Sequence, residues 1–183
     1  MIVALEGHVP SVHPSAFVAP DATLIGQVVV GAESSVWYQC VLRGDEGPIS
    51  VGARCNIQDG TVIHVAGAVL PTAIGDDVSI GHMALIHACT LEANAFVGMR
   101  AVVMDGAVVE SGAVLAAGAL LTPGKRVPSG QLWAGTPARF VRRLNAKDLA
   151  MVEEVRAVYL DMAPRHKAAL DGAEKPRRAA GDG

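Results

Sequence analysis

Residues 91–121 read LEANAFVGMRAVVMDGAVVESGAVLAAGALL, and Leu91, Val97, Val103, Val109, Leu115 and Leu121 recur in them at every sixth position. The step continues forward through Val127 and Trp133. Upstream it runs as Ile74, Ile80, Ile86, as Val51, Ile57, Ile63, and as Val12, Val18, Leu24, Val30, Val36, Leu42. Four residues after most of these stands a small residue, among them Ala22, Ser34, Cys40, Cys55, Thr61, Ala84, Thr90, Ala101 and Ala119. A helix repeats at 3.6 residues and a strand at two, so neither explains a sustained six with a second constraint inside it. A solenoid of very short strands does, because each coil buries its apolar positions against the next.

The composition agrees with a thin, regular core. Of 183 residues, 51% are hydrophobic but only 4% are aromatic, and 20 are glycine, so the interior must be aliphatic. A net charge of −3 offers no basic field, which excludes nucleic acid and anionic lipid as partners. Residues 1–10 lack the basic and apolar regions of a signal peptide, and the uncharged stretch 111–124 is too short to span a bilayer. A cytoplasmic protein is expected. Cys40, Cys55 and Cys89 are odd in number and lack CxxC spacing, so they read as core thiols, not as a disulfide framework or a zinc site.

The period resembles the hexapeptide-repeat family, in which six residues form one side of a triangular prism and three units complete a left-handed coil. The resemblance spans residues 12–138 and implies a left-handed parallel β-helix over residues 1–144. The chain should leave the prism near the segment from Trp133 to Ala138. Leu149, Val152, Val155, Tyr159 and Met162 then fall at helical spacing, which predicts one C-terminal α-helix within residues 145–171 packing back on the prism. Arg139, Arg142 and Arg143 read as a solvated lead into that helix. Residues 172–183, rich in Ala, Gly, Pro and charge, read as a disordered tail.

Two breaks in register locate the chemistry. Leu42 to Val51 is nine residues and Ile63 to Ile74 is eleven, and insertions in a solenoid leave the coil as loops, usually toward a functional face. If each break is one unit plus a loop, Leu42, Ile63 and Ile86 stack on one face, and Arg43, His64 and His87 form the next column. Adjacent strands lie about 4.8 Å apart, close enough for two imidazoles to share an ion. His82 falls on the preceding face, stacked over Asp59. Five extended residues, roughly 16 Å, separate it from His87, so one chain cannot easily bring both to one ion. A closed head-to-tail ring of subunits can.

These residues closely resemble the gamma-class carbonic anhydrases. The matching motifs are Arg43-Gly-Asp45-Glu46, Asn56-Ile-Gln58-Asp59-Gly60 with His64, Gly81-His82 and Ile86-His87. The resemblance implies that His64, His82 and His87 bind zinc, or alternatively iron or cobalt, between subunits of a homotrimer. It further implies an Arg43–Asp59 ion pair between subunits, Gln58 orienting a metal-bound hydroxide that attacks carbon dioxide to give bicarbonate, and Asp45 accepting a hydrogen bond behind the ligands. Glu46 is the nearest candidate general base, and Tyr159 the candidate tyrosine beside the metal.

The chain departs from the family in two places. Residues 65–71, VAGAVLP, lack the acidic proton-shuttling loop of some members, and no asparagine precedes Tyr159 within residues 154–158. Three rival readings share the fold or the site: a hexapeptide-repeat acyltransferase, a metal-binding assembly subunit without turnover, and a thioester hydrolase.

Overall fold

The computed structural model describes residues 1–67 and 69–172, and the tail expected over residues 172–183 lies outside them apart from Gly172. The chain winds into a parallel β-solenoid of about seven turns followed by one helix. Every repeat aliphatic from Leu24 to Val127 is buried, whereas Val12, Val18 and Trp133, near the two ends of the ladder, are only partly so. Burying a Val, Leu or Ile side chain stabilises by about 1.5–3 kcal/mol, so the aliphatic column is the main source of stability.

One inward position differs from the expectation. Cys89, not Thr90, fills the small slot beside Leu91; Cys89 is 2% exposed and Thr90 half-buried. The interval from Ile86 to Leu91 is five residues, so the small residue keeps its place two positions before the aliphatic. Burial raises all three thiols, Cys40 and Cys89 to about 12 and Cys55 to about 11, so none is a nucleophile at neutral pH.

The prism has three faces. The first carries Ser11–Val12, the ends of the long strands Thr23–Val30 and Val41–Val51, then Thr72–Ile74, Thr90–Leu91, Val108–Val109 and Arg126–Val127. The second runs from Phe17–Val18 through Ser35–Val36, Asn56–Ile57, Ser79–Ile80, Phe96–Val97 and Val114–Leu115 to Gln131–Ala134. On the third, Leu42, Ile63, Ile86 and Val103 align in successive rungs. Arg139–Arg143 is an antiparallel strand on Gln131–Ala134, not a lead into the helix, so the second face ends in a hairpin arm.

Three residues after most of the aliphatics from Leu24 to Val127, though not after Leu24, Leu42, Ile63 or Ile86, the corner takes a left-handed backbone. In the lower coils Gly106, Gly112, Gly118, Gly124 and Gly130 occupy it, while higher up Arg54, Asp77 and Asn94 do, at a cost of roughly 1–2 kcal/mol each. Those side chains form a clamp. Arg54 donates from Nε and Nη2 to the two oxygens of Asp77 at 2.8 and 2.6 Å, and Arg156 of the helix donates to Asn94 Oδ1 at 2.6 Å and lies 3.5 Å from Asp77.

The helix spans Ala146–Leu170 and starts from a capping box made by Asn145 and Asp148. It packs on the second face against the strands from Phe17–Val18 down to Ser79–Ile80. Tyr159, Met162, Ala163 and His166 make that contact, with the Trp37 ring 5.1 Å from Tyr159 and 4.8 Å from His166. The first three turns stand away from the prism, so Leu149, expected in the contact, is 56% exposed.

Candidate metal centre

Arg43, His64 and His87 occupy one outward column, because Arg43 pairs in register with His64 and His64 with His87. The first insertion, expected as a loop, is a bulge inside the continuous strand Val41–Val51, between Gly44 opposite Gly26 and Ile49 opposite Val28, and Asp45 at its start lies against His64. The ring nitrogens divide their work. His64 Nε2 lies 2.9 Å from Asp45 Oδ1 and His87 Nδ1 lies 2.6 Å from Asp105 Oδ1, while His64 Nδ1 and His87 Nε2 face each other at 3.2 Å.

The donor count decides what that pair can hold. A carboxylate only accepts hydrogen bonds, so each outer nitrogen must donate, and in a neutral imidazole the inner nitrogen is then a bare lone pair. Two lone pairs 3.2 Å apart repel unless a cation, a proton or a metal ion, lies between them. Two imidazole nitrogens about 2.0–2.1 Å from a tetrahedral zinc ion stand about 3.3 Å apart, so the spacing fits such an ion. Burial works to raise the Asp45 carboxyl, but hydrogen bonds from His64 and Arg43 outweigh it and hold it down at about 2. Asp45 is thus an anion at neutral pH.

His82 stands at the corner between the second and third faces, in the turn from Ser79–Ile80 to Leu85–His87. Its Nδ1 lies 2.8 Å from Asp59 Oδ2, and its Nε2 is 3.3 Å from the Tyr159 hydroxyl, whose position the Arg156 clamp one helical turn earlier helps to set. The same count applies: Asp59 accepts a hydrogen bond from Nδ1–H, which leaves the lone pair on Nε2. Burial, with the charge of Asp59 adding to it, pushes the Tyr159 phenol up to about 12, so it remains a neutral O–H donor. Gln58 is 4% exposed in the adjoining rung; its Nε2 donates to Asn56 Oδ1 at 3.0 Å and Asn56 Nδ2 donates to Ser79 Oγ at 2.8 Å. That chain fixes the amide and leaves Gln58 Oε1 as an acceptor.

The structure therefore gathers the expected residues into two clusters, Arg43, Asp45, His64 and His87 on one corner and Gln58, Asp59, His82 and Tyr159 on another. Among the described residues no three metal-ligating side chains of one chain converge on a point. Within one chain Arg43 pairs with Asp45, and Glu46 is exposed with its backbone N–H donating to Asp45 Oδ1. Asp105 is an addition: it lies one rung below His87 and one residue beyond its register partner, where only stacking brings the two together.

Comparison with known proteins resolves the family. The hexapeptide repeat of succinyl-transferase matches residues 89–123. Gamma carbonic anhydrase 2, mitochondrial, of Arabidopsis thaliana is 49% identical over 162 residues, covering 86% of this chain and 58% of its own. A carbonic anhydrase of Geobacillus kaustophilus is 39% identical over 168 residues and is covered over 92% of both chains. The chain belongs to the gamma carbonic anhydrase-like hexapeptide-repeat family. A solved structure of a hexapeptide transferase family protein from Anaplasma phagocytophilum superposes with a TM-score of 0.85 at 47% identity, over 89% of this chain and 96% of that one. This gamma carbonic anhydrase-like chain spans somewhat under two thirds of the plant relative, whose mitochondrial label is its own. No helix of the described residues is long and apolar enough to cross a membrane.

Proposed function

We propose that this protein is a metal-dependent carbonic anhydrase of the gamma class, hydrating carbon dioxide to bicarbonate at the three interfaces of a homotrimer. The observation that carries the reading is the pair of carboxylate-backed histidines whose bare nitrogens face each other, with a third of the same kind, His82, displaced to another corner. Zinc suits three neutral nitrogen donors with a position left open. When bound, such an ion supplies the Lewis acidity that makes water a nucleophile near neutral pH.

The chain's own residues then divide the remaining tasks. Asp45, Asp59 and Asp105 orient the three imidazoles and select the tautomer that exposes a lone pair. Gln58 Oε1 would accept a hydrogen bond from the attacking oxygen and fix its direction, and Tyr159 would donate a hydrogen bond into the site. Glu46, exposed at its rim, takes the released proton to solvent. Arg43 turns from Asp45 to Asp59 of the neighbouring subunit.

The third face supports the trimer. Its outward side chains are apolar, with Val62 38% and Leu85 37% exposed, and the adjacent loop shows Val69 at 89%. The first face mixes Ser11, Ser50, Thr90 and Arg126 with Val29, Ala73 and Val108 in its outward column. An apolar stripe beside two of three ligands suits burial against another subunit. The three buried free thiols suit a reducing compartment, which supports a cytoplasmic location.

The test pairs elemental analysis with stopped-flow carbon dioxide hydration, on protein loaded with zinc and, anaerobically, with iron. One metal per chain, with hydration lost in His64→Ala, is expected. Metal without hydration would leave a thioester hydrolase or an assembly role, and no metal at all would make acyl transfer the leading reading. A second expectation concerns Asp105: Asp105→Ala should weaken metal affinity by about 10–100-fold in competition with a chelator while circular dichroism is unchanged. An unaltered affinity would show that His87 is held by packing alone.

A further inference from the structure

The stand-off of the helix leaves a cleft of about 460 Å3 between its first three turns and the lower rungs of the second face. Phe96, Val114 and Leu132 wall it on the prism, and Met151 and Val155 on the helix. It extends to the corner between the second and third faces, where Gly81, His82, Gly98, Met99, Ala116 and Ala117 turn three successive coils. Four of those six are small, so the lip is low there, and Met99, 56% exposed, is its one large apolar side chain. Met99 lies one rung below His82, because Ile80 pairs in register with Val97 and each is followed two residues later by one of the two. Rungs are about 4.8 Å apart. The cleft therefore begins where the third histidine stands.

A second exposed apolar group lies beside the other two histidines. His64 is followed by residues 65–71, VAGAVLP, which carry no charge. Gly67 turns at φ 71°, Ala66 N–H donates to Leu70 O at 3.3 Å and Leu70 N–H donates to Gly67 O at 3.3 Å. This tight turn holds Val69 out in solvent. Val69 cannot enter the cleft of its own chain, because the third face, roughly 16 Å across, separates the two corners. Building on the interfacial metal site proposed above, we propose that Val69 of one subunit seats in the mouth of the cleft of the next, against Met99 of that neighbouring subunit.

Reach and polarity both support the seat. Two imidazoles on one tetrahedral ion hold their nitrogens about 3.3 Å apart, so a shared ion brings His64 of one subunit alongside His82 of the next. The turn projects two residues beyond the Ala66–Leu70 bridge, about 7 Å, and Met99 is only one rung from His82. No basic side chain lines the cleft, and its acidic one, Asp148, is paired with Arg142, so an uncharged apolar tip suits it. Seating covers two exposed apolar surfaces at once and shields the shared site from bulk water.

Crosslinking of the full zinc-loaded chain tests the seat. Val69→Cys combined with Met99→Cys, mildly oxidised, should run as covalent trimers without reductant, since every interface carries one such pair. Both positions are exposed, so folding depends on neither, and Cys40, Cys55 and Cys89 are buried and do not compete. A disulfide needs Cα atoms within about 7 Å, so the link reports this contact. Val69→Cys with Val29→Cys, whose second site is on the first face, should stay unlinked; equal linkage there would mark random collision and overturn the proposal. Val69→Asp should raise the concentration at which half the trimer dissociates at least about tenfold. Sedimentation separates the failures. A trimer that forms no link, or Val69→Asp trimers as stable as the unaltered ones, overturns the seat and leaves the shared metal site standing, whereas a monomer removes both.

Discussion

Replacing His82 with alanine is expected to empty the metal centre, from one ion per chain to almost none, while the prism and the trimer persist. His82 lies on a corner that serves no core function: it is partly exposed, and its ring contacts Asp59 and the Tyr159 hydroxyl rather than buried aliphatics. Its loss therefore costs little in folding. For the ion, removal of one of three nitrogen donors should exceed the 10–100-fold loss produced by disturbing only the groups behind them. Subunit mixing sharpens the test. In a closed ring each interface takes His82 from one subunit and His64 with His87 from the next. Trimers reassembled from equal parts of His82→Ala and His64→Ala chains then restore one intact interface wherever the two variants meet in the right order. Random mixing puts that at about one quarter of all sites. A site within one chain would restore none, and full occupancy in His82→Ala alone would remove His82 from the centre.

The solenoid and the histidine column were legible in the sequence for the same reason: both follow from counting in sixes. The period places Leu42, Ile63 and Ile86 one above another, and the next residues come along with them. The count fails where the period itself changes. The five-residue interval after Ile86 moved the small slot from Thr90 to Cys89, which a rule of "four residues on" cannot follow but "two residues before" can. Asp105 was not legible because its partnership with His87 crosses rungs one residue out of register, in a stretch whose repeats look purely structural. The strand Arg139–Arg143 was missed because its alternation is weak, with Phe140 and Val141 adjacent and both 52% exposed, so only pairing to Gln131–Ala134 defines it. Helical spacing located the last element but not its tilt, and the stand-off that exposes Leu149 and opens the cleft is a packing outcome no periodicity carries.

Ile86→Ala should be the most destabilising single truncation near the site, at about 3 kcal/mol. Ile86 is fully buried between Ile63 above and Val103 below, and each coil of a solenoid is supported only by its neighbours. Deleting the side chain beyond Cβ leaves a cavity that two flanking rungs must close by approaching each other. Their spacing is set by backbone hydrogen bonds near 4.8 Å, so closure is resisted and the cost lies within the 2–5 kcal/mol range for such truncations. Urea unfolding at one fixed protein concentration measures it, because the midpoint of an oligomer moves with concentration. Ile86→Val, which removes one methyl group, should cost about 1 kcal/mol on the same scale. His87 follows Ile86 directly, so metal affinity should fall in step with stability across the series Ile, Val, Ala. A cost below about 1 kcal/mol for Ile86→Ala, with metal affinity intact, would mean that the coil collapses around the gap without moving its outward residues. The histidine pair would then owe its 3.2 Å spacing to Asp45 and Asp105 instead of to the aliphatic column beneath it.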